Sequence, residues 1–257
     1  MASAPQNGLP IFYNDLQPIS SSVHGDWKAR RVDSAPHLAK VHAIPITVDE
    51  FVIAQRHYPI IFSAGENSVP LALMGLNEGV NMFVDDDGKL TRETYVPAYV
   101  RRYPFMLARL RPDTDDLSLC FDPSSEAIGP FEDGDPLFVD GQPSEATQAI
   151  LGFCEQFETA GQRTAAFVQD LEKSNLLIDG EFSVQPEGAA QPFIYRGFRM
   201  VSEEALRDLR GDQARKFIQN GLLPLIYCHL FSLNVIRDIF ALQMNKGLVP
   251  QPEIAAV

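Results

Sequence analysis

The chain has 257 residues, a formal charge of −13 and a pI near 4.7. That length serves one large domain or two small ones, and that charge argues against nucleic acid or an anionic membrane as a partner, because counterion-release binding needs a cationic face. Hydrophobic residues make up 45% of the chain, enough to build a core and to exclude disorder as its resting state.

Residues 1 to about 40 are rich in proline, serine and polar residues and read as an irregular N-terminal arm, anchored by the only tryptophan, Trp27. The start lacks a basic n-region and a continuous apolar h-region, so the expectation is a cytoplasmic protein without a secretory signal. Residues 41–257 read as a single domain with a possible sub-boundary near 142.

Thr47-Val48-Asp49-Glu50 has the form of a capping box, with Ile46 and Phe51 at the hydrophobic-staple positions. It predicts a helix over 48–57 that Tyr58-Pro59 ends, because proline disfavours the helical region for the residue before it. Short apolar runs follow at Pro59–Ser63, Val69–Met74 and Val80–Asp85, separated by segments dense in turn formers, with Asp87-Gly88 as a hairpin signal. Pro97 suits the first position of a short helix through Tyr103. Phe105–Leu110 and Leu117–Phe121 read as strands around a turn at 112–116, and Leu137–Val139 as another strand entering a turn.

After Ser144, an N-cap residue, Ala146, Ala149, Ile150, Phe153, Cys154 and Phe157 form one helical stripe, and Phe167, Val168 and Leu171 mark a second helix ending near Asn175. Residues 179–192 read as a linker or exposed loop and Phe193–Val201 as a late strand. Ser202 caps a helix that Gly211 ends, a second runs from Asp212 to Gly221, and a last from Leu222 to about Asn245. The longest mainly apolar stretch, Gly221–Leu233, is short for a bilayer and interrupted by Pro224 and His229, which predicts no membrane span. The fold class is α+β: a mainly antiparallel sheet from the N-terminal half, with short inserted helices, packed against a helical C-terminal half.

Two stretches share one design. Arg56-His57-Tyr58-Pro59 and Arg101-Arg102-Tyr103-Pro104 each run from cations through Tyr-Pro into an apolar segment. Both predict a helix-to-strand junction, with the two strands in one sheet. One reading is structural: cations in a last turn complement the helix dipole, and tyrosines pack at strand starts. The other is a site for an anion or a peptide carboxylate, gripped by arginine forks over tyrosine rings. Its ligand-binding candidates are Arg56, His57, Tyr58, Tyr99, Arg101, Arg102 and Tyr103, with His229 added as a polar residue inside the most apolar helix. His229 alternatively reads as a core histidine bonded to the backbone.

No catalytic set stands out. His24-Gly25-Asp26 has the spacing that opens a facial triad for iron and would need His229 as its second histidine, but it lies in the arm. His37 and His42 are not at helical ligand spacing. Asp85-Asp86-Asp87-Gly88-Lys89 resembles the start of a calcium loop but has Val96 where the bidentate glutamate belongs, so a tight turn explains it better. No phosphate-binding glycine motif or hydrolase nucleophile elbow occurs. The three cysteines, Cys120, Cys154 and Cys228, are widely spaced and read as reduced core thiols. No metal site and no cofactor are expected.

Lys40-Val-His42, Arg56-His57-Tyr58-Pro59-Ile60-Ile61-Phe62, Pro70–Leu76, Asn81–Asp85, Tyr95–Phe105 and Gly221–Leu230 resemble the SapC family of bacterial proteins over roughly residues 38–245, most specifically at the Tyr-Pro motifs. The family takes its name from surface layers, and some members carry a transporter label; neither fits a chain with no visible signal segment or span. The resemblance implies an accessory role beside flavin-dependent halogenase-like or oxygenase enzymes and TonB-dependent uptake systems, and it supplies no catalytic residues. The leading expectation is a non-enzymatic protein that binds a protein, a peptide or a small anionic ligand. The alternative is an oxygenase-like enzyme modifying a peptide or small molecule, its site assembled from scattered residues.

Overall fold

A computed structural model of the protein describes residues 8–32, 34–110, 116–185 and 191–248. Most of the predicted turn at 112–116 and of the glycine- and alanine-rich part of the predicted linker therefore lies outside the described residues. In chain order the elements are β1 (Gln17–Pro18), α1 (Ser21–His24), β2 (Lys28–Ala29), β3 (Ala43–Pro45), α2 (Phe51–Ala54), β4 (Ile60–Ser63), β5 (Pro70–Leu73) and α3 (Ala98–Arg102). There follow β6 (Phe105–Arg109), β7 (Leu117–Phe121), β8 (Ile128–Gly129), β9 (Asp135–Pro136), β10 (Phe138–Val139), β11 (Gln142–Pro143) and α4 (Glu145–Lys173). The last are β12 (Leu177–Val184), β13 (Phe193–Val201), α5 (Glu203–Arg207), α6 (Gly211–Gln219), α7 (Leu222–Ser232) and α8 (Val235–Asn245). Every strand pairing is antiparallel, and the fold is α+β.

The chain divides into two compact units, one from 36–97 together with residues from 162 onward, the other from the part up to residue 35 together with 98–161. The first is built on a five-stranded sheet in the order β12-β13-β4-β5-β3. The capping box sets its helical entry: the Glu50 carboxylate accepts from the Thr47 amide at 2.8 Å and the Thr47 hydroxyl at 3.0 Å, while the Tyr95 hydroxyl donates to its other oxygen at 2.9 Å. The helix is shorter than predicted, a 3₁₀ turn at Val48–Glu50 and then α2. Val80–Asp85 forms no strand. The Asn81 amide is drawn instead to the Leu38 and Val41 carbonyls, both at 3.0 Å, and only Val84 bridges to Leu90 across the turn.

Residues 179–184, predicted as loop, continue β12, which pairs with β13 through a register shift at Gly180/Phe182. Gly211 opens a helix instead of ending one, and the last predicted helix is two, α7 and α8, joined at Leu233-Asn234. Leu222–Asn245 is, by length and composition, apolar enough to cross a membrane, a longer apolar stretch than the expected Gly221–Leu233.

In the second unit β1, β7 and β6 form one sheet and β8, β2 and β9 another, so residues of the predicted arm supply two short strands. Their core gathers Phe105, Leu107, Phe121, Ile128, Leu137 and Cys154, with Trp27 packed against it. Asp140 and Gly141, at φ of 51° and 73°, make the two-residue turn between β10 and β11. Ser144 caps α4, its hydroxyl accepting from the Thr147 amide at 3.1 Å. α4 is one helix of 29 residues in place of the predicted two. Gly161 in its interior costs about 1 kcal/mol relative to alanine, less than the burial of the apolar stripe on either side.

Candidate functional site

Each Tyr-Pro junction has the predicted local form: α2 and a turn precede β4, and α3 precedes β6. The expectation that both strands share a sheet is corrected. β4 pairs with β5 and β13, whereas β6 pairs with β7 in the other unit. The Tyr103-Pro104 peptide is cis.

At the first junction Arg56 is exposed and His57 half-buried, while Tyr58 is 1% exposed. The Tyr58 hydroxyl donates to the Tyr95 carbonyl and accepts from the Thr94 hydroxyl at 3.1 Å, and burial pushes its pKa up to about 12. Its ring lies 4.6 Å from that of Phe83, over which Arg92 stacks at 4.4 Å. Tyr58 is thus used inside its unit, and only Arg56 and His57 reach water.

The second junction divides in the same way between adjacent arginines, because successive helical positions point about 100° apart. Arg101 is exposed, its guanidinium 5.1 Å from the centroid of the half-buried Phe153 ring. Arg102 is 5% exposed and enclosed by Phe157 at 4.2 Å, Tyr99 at 4.7 Å and Tyr13 at 5.9 Å, with Glu158 as its ion-pair partner at 3.4 Å. Tyr99 is buried, and its hydroxyl donates to the Ile11 carbonyl at 3.0 Å. Tyr103 is half-buried between the rings of Phe12 and Tyr13, its hydroxyl 3.5 Å from Asp122. Burial raises the pKa of both tyrosines. Arg102 and Tyr99 form the inner wall of the cluster; Arg101 and the edge of Tyr103 face outward.

His229 is fully buried, with both ring nitrogens engaged: Nε2 accepts from the Val201 amide at 3.0 Å and Nδ1 donates to the Ile60 carbonyl at 2.6 Å. Burial lowers its pKa to about 4, so the ring is neutral. This is the core arrangement and leaves no surface for a ligand. His24, the other half of the iron reading, packs edge-on against Trp27 and Phe121, and its Nδ1 accepts from the Ser20 amide at 3.1 Å. Among the described residues no group of three or more His, Cys, Asp or Glu side chains is placed to hold a metal ion. Asp85 Oδ1 accepts from the Asp87 and Lys89 amides, which makes the acidic stretch a tight turn.

A further feature escaped sequence reasoning. A shallow cleft of about 570 Å³ in the first unit is lined by Gly65, Glu66, Asn67, Glu172, Asp179 and Arg199. Arg199 belongs to its wall: it donates to the Ser68 hydroxyl at 3.0 Å and the Leu177 carbonyl at 3.3 Å, and pairs with Glu172 at 3.3 Å. Exposed Glu66 and Asp179 leave the rim acidic. Its residues come from a turn, a helix end and two strands, so no local pattern announced it.

These features define an α+β protein whose cationic-aromatic residues cluster at helix-to-strand junctions. The SapC family model matches residues 19–239, and the chain belongs to that family. No curated protein and no solved structure matches it.

Proposed function

We propose that this chain is a non-enzymatic, cytoplasmic accessory protein that binds an anionic partner, a protein or peptide segment or a small anionic molecule, through the outward side of its second junction. The observation that carries the reading is Arg101: exposed, yet held against the Phe153 ring at 5.1 Å. A guanidinium steadied on an aromatic face loses less side-chain freedom when it grips a carboxylate. Tyr103 supplies an adjacent ring edge, while Arg56, next to His57, offers a separate cation on the other unit. Arg102, Tyr58, Tyr99 and His229 support these surfaces from inside. The partner class that the family resemblance points to is a flavin-dependent halogenase-like enzyme, working beside TonB-dependent uptake. Neither nucleic acid nor a cofactor enters this reading.

Titration calorimetry with a glutamate-rich peptide tests it. The wild-type protein binds, and Arg101→Ala weakens binding roughly tenfold or more, the scale of one charge-assisted contact. Equal affinity in Arg101→Ala and Arg56→Ala, or no binding at all, overturns it. Iron or flavin at near-stoichiometric levels in protein purified without chelator would favour the oxygenase-like alternative.

A further inference from the structure

One face of α7 is committed and the other is not. On the committed side Ile226, Cys228, His229 and Ser232 are buried, and Ser232 Oγ accepts from the Ile60 amide at 2.8 Å beside the His229 bonds to Ile60 and Val201. On the opposite side Pro224, Tyr227 and Phe231, at spacings of three and four, make one exposed stripe. Phe231 is 63% exposed and Tyr227 42%, their ring centroids 5.6 Å apart. The neighbouring α6 adds Ile218, also 63% exposed. The most apolar 18-residue window of Leu222–Asn245 has a mean hydropathy of 1.4, yet only 39% of it is buried. In α7, Pro224, Tyr227 and Phe231 are the apolar side chains that the core leaves exposed, beside leucines that it covers only in part.

The helices around the stripe carry a charge balance opposite to that of the chain as a whole. Between residues 211 and 248 the charged side chains are Arg215, Lys216, Arg237 and Lys246 against Asp212 and Asp238, all exposed, a local excess of positive charge in a protein of net charge −13. Exposed aromatic and aliphatic side chains bordered by lysine and arginine are the composition of a helix that rests in a lipid headgroup layer. Charges elsewhere on the protein are screened beyond about 8 Å at physiological salt, so a local cationic border governs the approach to a surface.

We propose that the outward stripe of α7, with Ile218 of α6, is a contact surface for an anionic phospholipid membrane on which the protein rests peripherally. A spanning arrangement would have to break the His229 and Ser232 bonds that tie α7 to the sheet. A second copy is the poorer occupant, since an isologous pairing of the stripe sets its cationic border against itself.

Co-sedimentation of the full chain with vesicles tests this, using equimolar phosphatidylglycerol and phosphatidylcholine beside pure phosphatidylcholine. The protein sediments with the anionic vesicles, and less so as salt rises. Phe231→Ser lowers the partition coefficient roughly tenfold or more, the worth of one buried phenylalanine side chain, with the thermal melt unchanged. Lys216→Glu weakens binding and flattens its salt dependence. Absence of sedimentation, or sedimentation that Phe231→Ser and lipid charge leave unaltered, overturns the proposal. So does a concentration-dependent dimer, seen by sedimentation velocity without vesicles and abolished by Phe231→Ser, which assigns the stripe to a second copy.

Discussion

His229 and Ile60 lock the apolar helix α7 to the sheet: the imidazole Nδ1 donates to the Ile60 carbonyl at 2.6 Å, while Nε2 takes the amide of Val201 on the neighbouring strand. One ring thus ties a helix to two adjacent strands, β4 and β13. The arrangement requires one nitrogen to donate and the other to accept, so only the neutral ring satisfies it.

Stability should accordingly fall in mild acid. The folded pKa of His229, lowered by burial to about 4, lies below the ordinary value of 6.5. Between those values the unfolded chain binds a proton that the folded protein refuses, so the contribution is complete above pH 6.5 and drains as pH falls toward 4. The loss by pH 4 is about 3 kcal/mol. Urea unfolding at pH 7.5 and at pH 5 measures it against His229→Phe. That variant is weaker at pH 7.5, because the Val201 amide loses its acceptor, and its pH dependence is shallower. Parallel pH profiles for the two proteins would contradict the assignment.

The adjacent arginines of α3 should behave oppositely on substitution. Arg102→Ala empties a site walled by Phe157, Tyr99 and Tyr13 and costs about 2–4 kcal/mol, read as a lower thermal midpoint. Arg102→Met restores most of that, since an apolar side chain of similar length fills the space and Glu158 is solvated enough to stand alone. Arg101→Ala stays within about 0.5 kcal/mol of wild type. Equal melting curves for Arg101→Ala and Arg102→Ala would remove the distinction between an inner and an outer arginine.

What was legible in the sequence was what a few consecutive residues decide. The Thr47–Glu50 box, the strand starts after Pro59 and Pro104, the Ser144 cap and the Ser202 cap all depend on a side chain and a backbone group within one turn of each other. What was not legible depends on distant partners. Nothing local tells that β4 pairs with β13 while β6 pairs with β7, or that Asn81 turns its amide to Leu38 and Val41 instead of completing a strand. The division of labour between Arg101 and Arg102 was hidden for the same reason. The two residue types are identical, and only the rings of Tyr13 and Phe157, remote in sequence, choose which one is enclosed.

Gly180 should tolerate no side chain. A Cβ built there meets the ring of Phe198, the residue paired across from it in β13, nearer than any real Cβ contact. The bulge between Gly180 and Phe182 therefore works only because the backbone can pass under that ring. Gly180→Ala is expected to destabilise by about 1–3 kcal/mol through overpacking, and Gly180→Ala combined with Phe198→Leu recovers part of the loss by withdrawing the ring. Chemical denaturation of the single and double variants reads both values, and additive losses would show that ring and glycine do not communicate.

The three thiols should be present, reduced and slow to react. Cys120, Cys154 and Cys228 are all free and buried, and burial raises each pKa, that of Cys154 to about 11. Thiolate is the reactive form, so at pH 8 a thiol shifted upward presents little of it, and enclosure withholds the remainder from reagent. Ellman titration of denatured, unreduced protein should find three thiols, while the native protein reacts over hours at a rate that rises with added urea. Because Cys154 stands in the core beside Phe105 and Leu137, its modification should follow opening of that unit and not the solvent pH alone. Rapid labelling of Cys154 in the native state, with no change in the melting curve, would show that the second unit opens locally far below its global stability.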